Sequence, residues 1–506
     1  MVLLLLLGGE LKMKDLKLSS IMYKFSWFAI CLKLSFWFFI LNPTLSEPLF
    51  ATVLYTYGQQ AEPKYMLKDG KMAGICDEII QELNKELTKK DISISYRSSD
   101  LKTDSEIFSA LKDGKIQVFV GLELDKERYK ELKYVFTPIY SLKETILIRK
   151  GESKQVITKN TVTIGIVRGS PSSKDVAQVF RNYTFEEFGS ISEAIASLDA
   201  KKIDAIYYDG ISVGFYAVNF PNKYEKLSIE TKKYYHYIAF NKNVSNELIR
   251  SIEEALRLLL ERGTIDKVIE RYKLQQYVLA GNVLEFVTIQ WPPYEFSQNG
   301  DIIGSDVEII REVFKRLGYR SLFYMEIPSR ALQKVKSEAY DGVFSVWKSE
   351  DRETFLNYSS EPISSTLEAI WYLKSNAQKM GDILHSANTN YICGYVNGCA
   401  YDEHFWQLKC KKIPLESDEM GFKLLKAGRI DAFETAYLTG KFVATQMGIY
   451  NELDFMYISS QLRPQYLAFT KNIHGSYLAK MFSDGVKRFQ GTNDYRKILL
   501  RYGIEI

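Results

Sequence analysis

From Thr52 onward, short alternating apolar and polar runs give way to apolar residues at helical spacing, and the alternation keeps recurring. Thr52–Tyr57 predicts a strand, and Asp69-Gly70 marks a turn. Ile79, Ile80, Leu83 and Leu87 fall on one helical face. Ile92, Ile94 and Tyr96 alternate with Ser93 and Ser95 as a second strand. Ile107–Leu111 reads as helix and Ile116–Val120 as a third strand, and the pattern continues through Thr161–Val167, Ile191–Leu198 and Ile203–Tyr207. It closes on a helix over Asn246–Glu261, with Leu248, Ile252, Leu256, Leu259 and Leu260 on its apolar side and Gly263 as a stop. Strands alternating with helices predict an α/β protein with parallel sheets covered by helices.

The pattern occurs twice. Pro63, Gly70, Gly74, Glu78, Ile79 and Ile80 recur as Pro293, Gly300, Gly304, Glu308, Ile309 and Ile310, an offset of 230. Arg128, Pro138, Glu144 and Lys150 recur as Arg352, Pro362, Glu368 and Lys374, at 224. Ile203-Asp204-Ala205 recurs as Ile430-Asp431-Ala432 at 227, and Ala239-Phe240 as Ala468-Phe469 at 229. Matches kept in order, with a slowly drifting offset, mean a duplicated domain with small insertions. The period is far longer than that of a solenoid repeat. The predicted modules are 49–276 and 277–506, joined by a linker at Gln275–Val283 with Gly281-Asn282 as its turn.

Composition excludes more than it selects. With 66 Lys and Arg against 62 Asp and Glu, the charge is mixed along the chain and leaves no nucleic-acid footprint. The four His stand far apart, so zinc spacings are absent, as are GxSxG, GxGxxG and the P-loop. No catalytic residue, metal or cofactor is expected. The first 48 residues differ from the rest: Lys12, Lys14, Lys17 and Lys24 precede the apolar run Phe25–Leu41, and Thr44-Leu45-Ser46 offers a cleavage site before Glu47. Residues 1–48 therefore read as a secretory signal or an N-terminal membrane anchor, and the body as lying outside the cytoplasm. Export permits disulfides; Cys393 and Cys410 flank a helix-like stretch between two strand-like runs, and either a bridge or two buried thiols fits.

Pro292-Pro293-Tyr294, Gly300 with Gly304, Arg352 ahead of Ser359 and Pro362, and Gly428-Arg429-Ile430-Asp431-Ala432 resemble the bacterial extracellular solute-binding proteins of family 3. Gly169-Ser170, Ile203-Asp204-Ala205, Tyr208-Asp209 and the ending Leu258, Arg262-Gly263, Ile269, Tyr272 carry the same resemblance in the first copy. It implies two tandem type II periplasmic-binding-protein modules, each of two α/β lobes joined by crossing strands, with ligand held in a hinged central cleft. Lobe one of the first module would be 50–142 plus 238–275 and lobe two 143–237; in the second, 283–367 plus 466–506 and 368–465.

The resemblance also implies site residues. Arg128 and Arg352 stand at the carboxylate-binding position, where a guanidinium forks onto the two oxygens; each is also flanked by acids, as a surface arginine would be. Gly169-Ser170, and Gly398-Cys399 in the second copy, form the turn whose backbone N–H groups meet the ligand, or a plain helix cap. Asp209 matches the amine acceptor, or is a turn Asp before Gly210. Its counterpart is Ala436, with Glu434 two residues early, so either Glu434 takes the amine or the second cleft binds something other than an α-amino acid. Tyr294, with Trp291 and Trp347 near it, stands at the family's aromatic position; the first copy has Lys64 there, followed by Tyr65. Ser349 holds a hydroxyl position that Asp125 fills in the first copy. Arg330 resembles a second cleft arginine found in one branch of the family.

Three function classes follow. The first is an exported protein that captures small polar solutes, amino acids or related carboxylates, for an ABC permease. The second is a ligand-sensing ectodomain; no kinase segment follows Ile506, so it would act through a partner protein. The third, a dehydratase-like enzyme on the same fold, would need a general acid or base, and Glu434 is the one candidate.

Overall fold

A computed structural model describes residues 51–153, 156, 161–170, 173, 176, 183–227, 231–385 and 390–505. The expected signal or anchor over 1–48 lies outside the described residues. Among the described residues no helix is long and apolar enough to cross a membrane.

The predicted elements form. Strands run over Thr52–Gln59, Ile92–Lys102 and Val118–Glu123, and the helix Ile75–Leu87 buries Ile79, Ile80, Leu83 and Leu87. The Asn246–Glu261 helix starts where Ser245 accepts a hydrogen bond from Leu248 N, an interaction of about 1 kcal/mol. It buries Ile252, Leu256, Leu259 and Leu260 and ends at Gly263, whose φ of 65° suits glycine.

The expectation of parallel sheets holds only in part. Within each lobe, strands pair in parallel, as Thr163–Val167 does with Thr184–Phe188, and Val283–Thr288 with both Arg320–Met325 and Gly342–Val346. The crossing strands Tyr140–Arg149 and Lys233–Phe240 pair antiparallel with their neighbours. The reason is topological: the chain leaves lobe one on the first and returns on the second. In the first module they join both lobes into one nine-stranded sheet; the second module has a six-stranded and a five-stranded sheet. The two modules keep one register where it matters for the cleft. Asp209 lies opposite Glu144 on the first crossing strand, and Ala436 lies opposite Glu368 on the equivalent strand, Glu368–Leu373.

The linker is structural. Val278–Ala280 adds to the Tyr140–Arg149 strand, and Gly281 passes so close that an added Cβ would stand 1.8 Å from the Pro138 carbonyl oxygen. The modules also share buried charge. Lys233, 2% exposed, places Nζ 2.7 Å from Asp341 Oδ2 and 3.1 Å from Glu285 Oε2. His474 packs on Tyr235 at 4.1 Å, and burial, reinforced by the Lys233 cation, pushes its pKa down to about 3. Cys393 and Cys410 form a disulfide with Cα atoms 5.9 Å apart, which settles the alternative the sequence leaves open.

Candidate functional site

Each module has a cleft between its lobes, floored by the crossing strands. The first measures about 480 Å³ and is lined from lobe one by Gln59, Lys64, Asp104 and Arg128, and from lobe two by Gly169, Ser170 and Asp209. Tyr234 and His236 of the returning strand close its floor. Arg128 sits on the Lys126–Glu131 helix, which Asp125 caps by accepting from Glu127 N and Arg128 N. The guanidinium forms an ion pair with Asp104 and approaches Asp125 Oδ2 at 3.6 Å. Asp209 caps the Gly210–Asn219 helix through Ser212 N and also lines the cleft, so its two readings coexist. Burial pushes its pKa up, against the Ser212 hydrogen bonds and the nearby Lys64 cation. Gly169 has a φ of 75° and open space where a Cβ would stand. Ser170 Oγ donates to the Val167 carbonyl at 2.6 Å, while Ser173 N donates to that same Oγ.

Tyr65 does not face this cleft. It is fully buried in the lobe-one core, its ring tilted against Phe119 at 5.6 Å, with its hydroxyl donating to the Val120 carbonyl. Asp125 likewise serves the helix end and is not among the cleft-lining residues. Lys64 occupies the aromatic position instead. Its Nζ donates to Gln59 Oε1 at 2.7 Å and to the Gly121 carbonyl at 3.0 Å, and burial pushes its pKa down. Gly121, with a φ of 97°, has no space for a side chain, since a Cβ there would lie 2.8 Å from Cys76 Sγ.

The second cleft is smaller, about 140 Å³, and more apolar: Ile289, Trp291, Pro328, Val343, Val346 and Trp347 line it beside Arg352. Arg352 forms no ion pair among the described residues; Nη1 donates to the Trp347 carbonyl at 3.5 Å. Pro328 opens the Pro328–Lys336 helix at the place where Asp104 opens Asp104–Lys112, so the carboxylate that neutralises Arg128 has no counterpart. The lobes touch at this edge, since a Cβ on Gly398 would stand 2.9 Å from Ser329 N. The Arg463 guanidinium lies 4.2 Å over the Trp347 ring and pairs with Asp402.

Of the other expected residues, Cys399 lines this cleft, and burial, then Asp418, pushes its thiol up to about 12. Tyr294 is buried behind Trp291 at a ring distance of 4.7 Å. Ser349 is exposed and caps Glu350–Glu353. Arg330 pairs with Glu326 at 3.5 Å on the surface and does not line the cleft. Glu434 lies fully buried behind the lining, with its carboxyl against that of Glu368. Four acids that sequence reasoning did not assign to the cleft do line it, Glu326, Glu368, Glu416 and Asp418. Glu368 was visible as the repeat partner of Glu144, but only the strand register shows that it faces Ala436.

The sequence pattern of the bacterial extracellular solute-binding proteins, family 3, matches residues 53–275 and again 286–504. The L-cystine-binding protein TcyA of Bacillus subtilis (strain 168) is 22% identical over 209 residues, 40% of this chain and 73% of that protein. Among solved structures, the ancestral amino acid-binding protein AncCDT-1 is 18% identical over 47% of this chain and 98% of its own, with a TM-score of 0.38. The periplasmic domain of BvgS from B. pertussis is 12% identical over 98% of this chain and 95% of its own, with a TM-score of 0.36. The chain belongs to family 3 of the bacterial extracellular solute-binding proteins, which it represents twice.

Proposed function

We propose that the protein is exported, works in the periplasm, and captures small polar solutes, amino acids or related carboxylates, one in each cleft, for delivery to an ABC permease. One observation carries the reading: in both modules an arginine at the equivalent position, Arg128 or Arg352, lines a cleft between two lobes. Burying a carboxylate requires charge-assisted hydrogen bonds, which a guanidinium supplies in pairs. In the first cleft Arg128 meets the carboxylate, Asp209 the ammonium, and Gly169-Ser170 the second anion contact. In the second, Arg352 meets the carboxylate, with Trp347 and Cys399 against the rest of the solute. Tyr65, Asp125, Tyr294 and Ser349 act behind this layer, holding the lining in place.

The reading is binding without turnover. Calorimetric titration of the full chain with the L-amino acids and L-cystine tests it, with the solute recovered and inspected by NMR. Saturable, arginine-dependent binding with unchanged solute supports it; product formation refutes it. The shared buried charge at Lys233, Asp341 and Glu285 favours a second reading, a sensor whose modules signal together. A change in solute affinity at one cleft when the other is filled would select it.

A further inference from the structure

The floor of the second cleft differs from the first at two positions of one strand, besides Arg463 and Gln465 standing on the returning strand where the first module has Tyr234 and His236. In the first module the Tyr207 hydroxyl donates to the Glu144 carboxylate, and Asp209 stands two residues further along the same strand. In the second, Glu434 stands where Tyr207 does and Ala436 where Asp209 does, both on the face that carries Glu368. The acceptor has left one strand, and a second carboxyl has arrived behind the acid on its neighbour. Glu368 lines the cleft, 4% exposed, with Oε1 accepting from Thr366 Oγ1 at 2.7 Å. Glu434 is 0% exposed and its carboxyl lies within hydrogen-bond reach of the Glu368 carboxyl, an arrangement that two bare carboxylates do not tolerate.

We infer that the second cleft recognises the cationic end of its solute at Glu368, with Glu434 behind it as the proton store, so that binding there releases a proton to solvent. This rests on the reading that the cleft takes a solute. The groups facing Glu368 fit the assignment. Glu434 comes from the Ala432–Ala436 strand, Asp418 from the Asp418–Lys426 helix, Arg463 and Gln465 from the returning strand, and Tyr294 from lobe one. Burial pushes Glu368 up to about 7 and Asp418 up to about 6; Thr366 and Arg463 pull Glu368 back down. Burial, then the Glu368 and Asp418 charges, push Glu434 well up. Near neutral pH the Glu368–Glu434 pair therefore holds at least one proton, and an ammonium beside Glu368 favours the ionised form. Arg352 remains across the cleft for a carboxylate, so the site fits a zwitterion.

The second cleft has its own probe, because the described tryptophans Trp291, Trp347, Trp371 and Trp406 all lie in the second module. The full chain is titrated with L-amino acids and their des-amino carboxylates, read by tryptophan fluorescence from pH 5.5 to 8, in the native protein and in Arg352→Ala, Glu368→Gln and Glu434→Tyr. The expected amino-acid Kd falls by up to about tenfold per pH unit up to about pH 7 and then levels. Glu368→Gln weakens it by about thirtyfold or more and flattens the profile. Glu434→Tyr, which installs the first module's arrangement, moves the midpoint to lower pH and carries the test if Glu368→Gln fails to fold. Arg352-dependent amino-acid binding with a pH profile that these variants leave unchanged would overturn the inference, as would binding of the des-amino carboxylates alone. No Arg352-dependent response to any solute would instead overturn the functional reading itself.

Discussion

The two clefts share a backbone plan and differ in how their charges are neutralised. In the first, the cleft arginine is already paired: Arg128 holds Asp104, and Lys64 and Asp209 add further charge around about 480 Å³. In the second, Arg352 has no ion-pair partner among the described residues and shares about 140 Å³ with tryptophan and aliphatic side chains and the acids Glu326, Glu368, Glu416 and Asp418. On the proposed reading a solute carboxylate competes with Asp104 for Arg128, while Arg352 has no paired acid to displace among the described residues. Duplication thus preserved register and hinge, while exchanges at single positions, Asp104 for Pro328, Lys64 for Tyr294 and Asp209 for Ala436, set the chemistry.

The largest expected effect breaks the frame that both clefts share. Lys233→Ala leaves Asp341 and Glu285 buried without their cation and should cost about 3–5 kcal/mol of stability, read by urea unfolding of the full chain. Lys143, 3.9 Å from Glu285, offsets only part of the loss. Arg352→Ala should next remove about 2–5 kcal/mol of solute binding from the second cleft, measured by calorimetry, because no other cation lines it among the described residues. Opening the Cys393–Cys410 bridge by Cys393→Ser with Cys410→Ser should destabilise lobe two of the second module by roughly 3 kcal/mol, as for a loop of this size. Tryptophan fluorescence during denaturation would show that loss. Asp104→Asn sharpens the comparison from the other side: it frees Arg128 and should strengthen carboxylate binding in the first cleft by about 1.5–3 kcal/mol.

A smaller effect is one of pH. Glu368 and Asp418 titrate higher in the folded chain, at about 7 and about 6, than the ordinary values of 4.5 and 3.8. Between the ordinary and the raised values the folded state holds more protons than the unfolded one. Stability of the second module therefore falls as pH rises through this window, by at most about 1.4 kcal/mol per unit for each group. Unfolding midpoints at pH 5 and pH 7.5, followed by tryptophan fluorescence, should separate in that direction, and Glu368→Gln should narrow the gap.

Much of this was legible before any coordinates. Ordered matches at offsets of 224 to 230 gave away the duplication, and the apolar spacing of Asn246–Glu261 placed that helix to the residue. Arg128 and Arg352 were found because position in the repeat, not contact, identifies them. What escaped depends on distance in sequence. Lys64 is held at its cleft by the carbonyl of Gly121, 57 residues on. Asp104 pairs with Arg128 across 24 residues. The antiparallel crossing strands and the linker strand Val278–Ala280 follow from the path between lobes, which local periodicity does not encode. Cutting the chain within Gln275–Val283 would remove that strand from the first module's sheet, so clean separation of the modules is not expected.

The central claim is that one chain holds two clefts of different chemistry, each organised by its own arginine. Calorimetry of the full chain with one panel of amino acids and carboxylates tests it most directly, run on the native protein, Arg128→Ala and Arg352→Ala. The account predicts two solute profiles, one lost with each variant and the other retained. A single profile shared by both clefts, or solutes whose binding survives both substitutions, would contradict it.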